Sequence, residues 1–240
     1  MNVLNPNSIL AFEEVIFMTY MFDGQYQRAY LDHYGFEYDR VGIERVGAEY
    51  HISSVPAELP PRDYRNLINI VDSEKMNSVG DEYYALSKAW YDRQRYDSGG
   101  IVLLRKNMNN FFRNMSSGKS NARLWTTYKD HRDMLVQSDG RFKHNFLPMN
   151  LRATNVYGGC TDVAYLVNLF PNPNLTKFFS DDEESDLCID RDQYAIASML
   201  QFLWRSALRN DNPIKLYIPS SRMRKLLTDW IDSNSEGVCR

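Results

Sequence analysis

The stretch Gln201–Leu227, QFLWRSALRNDNPIKLYIPSSRMRKLL, decides the reading of the fold. It closes a long helical pattern, Asp192–Arg209, crosses a short polar turn and enters the apolar run Ile214–Ile218. That run stops at Pro219-Ser220, and a second basic helix is expected over Ser221–Ile231, with Ser220 or Ser221 as its N-cap. Helix, strand and helix in succession belong to a parallel sheet with covered faces, an α/β fold. Arg205 and Arg209, four residues apart, fall on one face of the expected helix. Leu200, Leu203, Trp204 and Leu208 make that helix largely buried, and a buried guanidinium needs a partner to offset its lost hydration. A phosphate or an internal carboxylate would both serve. Lys215, Arg222, Arg224 and Lys225 add a basic cluster around the second helix start. A helix N-terminus at Ser220-Ser221-Arg222 suits a nucleic-acid phosphate, with a solvated charged face as the plain alternative.

Upstream, the pattern alternates. Strands are expected at Val15–Met18 (ending at Thr19), Arg40–Ile43, Glu49–Ile52, Ala122–Tyr128 and Asn145–Met149, with a strand or buried helix at Val163–Phe170. Leu67–Val71 reads as a strand or short helix. Helices are expected over Gln25–Tyr34, Asp81–Tyr96, Val102–Met115, Asp130–Val136 and Asn174–Phe179, and Asp181–Asp186 reads as a solvated acidic loop. The proline-bearing stretch Ser53–Arg62 marks a boundary. The expected organisation is an N-terminal unit over 1–55, a linker over 56–80 and the main α/β body over 81–240.

The bulk composition excludes several classes. With 43% hydrophobic and 25% charged residues the chain reads as globular, and a net charge of −3 argues against coating nucleic acid non-specifically. A local basic groove stays compatible with that charge. Three scattered cysteines form no CxxC pair and four histidines no HxxxH or HxH pair, so no metal site is expected. No signal peptide and no membrane-length apolar run are read, and a cytoplasmic protein is expected. No GxSxG elbow is present, and Asp162, Asp190 and Asp192 have no spacing that singles out an acid/base pair. Ser117-Gly118-Lys119-Ser120 ends like a phosphate-binding loop, but position 113, where that loop needs its first glycine, is arginine. A turn between helices is the simpler reading.

In order along the chain, several segments resemble the later motifs of superfamily-two helicases, particularly those of phages and mobile elements. VIFMTYMFDGQYQRAYLD is similar to the end of a first RecA-like lobe, with Thr19 in the threonine motif that couples nucleotide to nucleic acid. ARLWTTYKD resembles the opening strand of the second lobe, with Thr126 and Thr127 at the strand end that touches the backbone. FLPMNLRATNVYGGCTDVAYLVNLFPNP resembles the fifth motif, in which Arg152, Thr154 and Asn155 form a loop shared by nucleic acid and nucleotide, closed by Asp162. QFLWRSALR resembles the arginine-finger motif. Gln201 and Arg205 fit its spacing, Trp204 replaces its glycine and Arg209 falls one position late. The resemblance implies a RecA-like second helicase lobe behind a partial remnant of a first. In it Ser220, Arg222 and Arg224 would join the grip on DNA or RNA. ATP and magnesium would be bound only when an N-terminal lobe carrying the Walker A and DExx motifs completes the site. If phage-encoded, the protein would work in the host cytoplasm. Other readings are a non-catalytic module binding nucleic acid or a replication partner, and a structural interaction protein.

Overall fold

The computed structural model describes residues 5–54, 62–136, 140, 142–149, 151, 155–180 and 189–235. In chain order the elements are α1 (Asn7–Leu10), α2 (Tyr26–His33), β1 (Gly42–Val46), β2 (Glu49–Ser53), α3 (Tyr64–Leu67), β3 (Ile68–Ile70), α4 (Glu74–Asn77), α5 (Lys88–Arg93), α6 (Gly99–Asn110), β4 (Arg123–Thr126), β5 (Asp162–Tyr165), α7 (Pro173–Ser180), α8 (Arg191–Leu203), β6 (Ile214–Tyr217) and α9 (Ser221–Asn234). They form two compact units, residues 1–58 with 171–197 and residues 59–170 with 198–240.

In the first unit, Ala29, Phe179 and Ile189 form a small core to which Tyr26, Tyr30, Phe178 and Tyr194 pack. β1 and β2 pair as an antiparallel hairpin that turns at Gly47, whose φ of +65° suits glycine. The strand expected at Val15–Met18 is absent: the segment is irregular and exposed, and Thr19 stands in the same stretch. Its β-branched residues favour an extended backbone, but a strand needs a ladder partner and none of the described strands pairs with it.

The second unit holds a four-stranded sheet in the order β3-β6-β5-β4, parallel at every pairing. β5 is buried along its whole length, and Leu124, Trp125, Leu216 and Tyr217 are 0% exposed. Continuous burial is what a parallel sheet covered on both faces requires. Phe111, Phe112, Tyr91, Leu104 and Met108 join Trp125, Ala164 and Tyr217 in one core. There the rings of Phe111 and Tyr217 stack 5.6 Å apart, and Trp125 Nε1 donates to Phe142 O at 2.8 Å. Elsewhere in the unit Phe202 meets Tyr165 at 5.6 Å, and Tyr64 packs on Trp230 at 4.8 Å.

Several expectations shift. Residues 62–80, assigned to a linker, supply α3, α4 and the sheet strand β3. Only Lys88–Arg93 of the Asp81–Tyr96 segment is helical, because Leu86 adopts φ 61° and breaks the run. Asn145–Met149 makes a single bridge, Phe146 to Trp125, in place of a strand. Asp130–Val136 is a 3₁₀ turn over Lys129–Met134. The acidic run Asp181–Asp186 lies outside the described residues. Most consequentially, α8 stops at Leu203. Ser206 causes the break: its hydroxyl donates to Leu203 O at 2.6 Å and accepts from Leu208 N at 3.4 Å, competing with the helical ladder. Arg205 therefore sits on a turn and Arg209 on the following 3₁₀ turn, Ala207–Asn210, not on one helix face.

Candidate functional site

The arginine turn precedes β6 and is fastened to the chain that precedes β5, at the amino ends of those strands. Ala207 N donates to Cys160 O at 2.9 Å and Lys215 N to Thr161 O at 2.8 Å. Arg205, half-buried, donates from Nη1 to Met149 O at 3.0 Å. Arg209 Nη1 donates to Asn155 Oδ1, and Asn210 Nδ2 to Gly158 O at 3.0 Å. The segment expected to share nucleotide and nucleic acid is thus joined to the segment expected to carry the finger. Arg205 is tied to a backbone carbonyl, whereas Arg209 is exposed. Gln201 is half-buried in the last turn of α8. Arg152 and Thr154 lie outside the described residues.

Asp162, 3% exposed at the start of β5, accepts from Ser117 N at 3.1 Å and from Ser117 Oγ at 2.5 Å. It therefore anchors the Ser117–Ser120 loop. Arg123 Nη2 ties the same loop through Gly118 O at 2.8 Å. Lys119 N bonds to Ser117 Oγ at 3.4 Å and Gly118 N to Ser116 Oγ at 3.5 Å, so these amides close the turn and do not fit a phosphate cradle. The loop also stands at the amino edge of a sheet type that takes ligands at its carboxyl edge. Replacing Asp162 by alanine strands both Ser117 donors, and chemical denaturation is expected to register a loss of about 2 kcal/mol. Burial, and secondarily the charge of Asp162, push the Cys160 thiol up, which keeps it a poor nucleophile.

At the carboxyl ends of the strands stand the other expected contacts, and most are inside. Thr126 and Thr127 are 0% and 1% exposed, with Thr127 Oγ1 donating to Leu166 O at 3.4 Å. Ser220, 1% exposed, caps α9 by accepting from Met223 N at 3.3 Å. The first turn of α9 is covered: a Cβ on Gly80 would come within 2.1 Å of Pro219 O, and Ser221 Oγ donates to Asp81 O at 3.2 Å. Arg222 is 8% exposed and donates from Nη1 to Asn168 Oδ1 at 3.0 Å and Leu169 O at 2.9 Å. Arg224 is half-buried, bonded to Ile218 O at 2.9 Å and Pro219 O at 2.6 Å, and burial pulls its guanidinium down. Among the described residues expected to grip a nucleic-acid backbone, Asn155 and Arg224 keep access to the surface.

Sequence reasoning missed Asn168, which is 0% exposed. Its amide nitrogen donates to Leu86 O at 2.9 Å, and Nδ2 donates to Tyr83 O at 2.7 Å and Ala85 O at 3.0 Å. Its backbone carbonyl oxygen accepts from Tyr128 Oη at 2.9 Å, and its side-chain Oδ1 from Arg222. One side chain thereby ties the segments leaving β3 and β5 to α9. The single polar residue in the apolar run Val163–Phe170 was the available signal.

The family defined by the YonV C-terminal Rossmann-like domain matches residues 62–231. The chain belongs to that family. Within the family's bounds lie the whole parallel sheet and both clusters just described. The SPbeta prophage-derived protein YonV of Bacillus subtilis strain 168 is 36% identical over 232 residues, covering 95% of this chain and 54% of the relative. The chain thus spans about half the length of that relative. No solved structure matches it. Among the described residues, no helix is long and apolar enough to cross a membrane, and no group of three or more His, Cys, Asp or Glu is placed to hold a metal ion.

Proposed function

We propose that this domain is the second RecA-like lobe of a helicase- or translocase-type motor. Its exposed Arg209, with Asn155 and the segment behind it, faces a nucleotide held by a lobe outside this chain. Its carboxyl edge meets a nucleic-acid strand. The observation that carries this reading is the fastening of the Arg205–Asn210 turn to Met149, Asn155, Gly158 and Cys160. Two segments that resemble separate helicase motifs lie far apart in sequence and are brought together by the fold. A finger that acts on a neighbour's nucleotide has no need of a phosphate cradle in its own lobe, which agrees with the closed Ser117–Ser120 turn.

A second reading, a nucleic-acid-binding module that works without nucleotide, is favoured by that same closed turn. Both readings require strand binding. Fluorescence anisotropy of this chain with a labelled 20-nucleotide oligothymidine is expected to show binding that weakens by about 10-fold between 50 and 200 mM salt, as for two to three phosphate contacts on a single strand. Added ATP should leave that affinity unchanged. Absence of binding at the lower salt would remove both readings.

A further inference from the structure

Resting on that strand-binding reading, we propose that Tyr83, Tyr84 and Phe170 form a stacking platform for the bases of a single-stranded nucleic acid. Tyr83 and Tyr84 are consecutive, yet both rings are outside, 53% and 59% exposed. The two tyrosine rings stand at 90° with centroids 4.8 Å apart. Phe170 completes the group at 5.8 Å and 55° from Tyr83 and 5.5 Å and 40° from Tyr84, so the rings are not coplanar and a base stacks on one of them at a time. Large aromatic rings held at a surface lose the burial that ordinarily favours them, and a cluster of them marks a contact surface.

The support under the rings is rigid. Asn168 Nδ2 holds Tyr83 O, and the buried Arg222 holds Leu169 O, next to Phe170. The Arg222 guanidinium lies 4.4 Å from the Phe170 ring centre and 6.0 Å from that of Tyr83. A cation against one face of an aromatic ring draws π density toward itself and leaves the opposite face less negative. That opposite face then repels the π cloud of a stacked base less. The rings belong to the segments leaving β3 and β5, and Arg222 to the segment leaving β6, so the platform stands at the carboxyl edge of the sheet. The chain goes from β3 across the sheet to β4 and returns through β5 to β6, so the neighbours β3 and β6 flank the point where strand order reverses. Sheets of this type take ligands there. Every base has a π face, so such a platform binds strands with little sequence preference.

The test is anisotropy of the full chain with labelled 20-nucleotide oligothymidine and with an abasic strand of the same length. Wild type is compared with Tyr83→Ala, Tyr84→Ala and Tyr84→Phe, with Tyr96→Ala as an exposed-tyrosine control. Removal of one stacked ring should weaken oligothymidine binding by about 10-fold, leave abasic binding unchanged and be rescued by Tyr84→Phe. Wild-type affinities that are equal for the two strands, or alanine variants that weaken both alike, would overturn the platform and leave strand binding standing. If neither strand binds, the strand-binding reading itself fails and the platform falls with it. Thermal melting of each variant separates lost contacts from lost folding.

Discussion

Arg209→Ala, introduced into a protein that joins this domain to a nucleotide-holding lobe, is expected to lower the turnover of ATP by about 10³-fold, the lower end of what an arginine finger contributes. The effect arises in kcat, because the guanidinium neutralises charge that develops on the transferred phosphoryl group and does little for ground-state binding. Affinity for ATP and for a single strand should therefore change by no more than a few-fold. Arg205→Ala should behave differently. Its guanidinium holds Met149 O at 3.0 Å, so its loss should release Met149 and show first in melting. A turnover that survives Arg209→Ala within a few-fold, in a protein that still hydrolyses ATP, would remove the finger and leave the nucleotide-independent module as the better account.

The second large effect is on the fold. Asn168→Ala is expected to destabilise the domain by about 4 kcal/mol, because it strands the carbonyls of Tyr83 and Ala85 and one donor of the buried Arg222 at once. For a chain of this size that corresponds to a fall of about 10 °C in melting temperature. Asn168→Asp separates the partners: the Arg222 bond is kept, but a carboxylate is set against two carbonyls. It should also destabilise. Melting within 2 °C of wild type for both variants would show that the segments leaving β3 and β5 are held by their apolar packing alone.

Much of the sheet was legible because its strands are short apolar runs that nothing else explains. Ile214–Ile218 contains β6, Val163–Phe170, expected as a strand or a buried helix, shares Val163–Tyr165 with β5, and Ser220 caps α9 as its position suggested. The α/β class with a parallel sheet followed from these. The breaks were harder. Nothing in the periodicity of Asp192–Arg209 announces that the Ser206 hydroxyl will bond Leu203 O and end α8. Leu86 at positive φ is equally unforeseeable from a residue that favours helix. That one break hid the platform, since a continuous helix over Asp81–Tyr96 would have turned Tyr83 and Tyr84 in different directions. Burial was the other blind spot. Thr126, Thr127, Ser220 and Arg222 are polar residues beside strand ends, where surface contact is the natural expectation, and each is enclosed by segments remote in sequence.

The parallel pairing of β3 with β6 also sets an order of events. Ile68 aligns with Ile214, and β3 has no other partner in the sheet. A chain emerging from the ribosome can bring β4 and β5 together while β3 must wait, with Ile68 and Ile70 unpaired, until β6 has been made. The edge strand that opens the domain in sequence is then the last to be laid down in space. During that interval the nascent chain carries an apolar strand edge open to pairing with other chains.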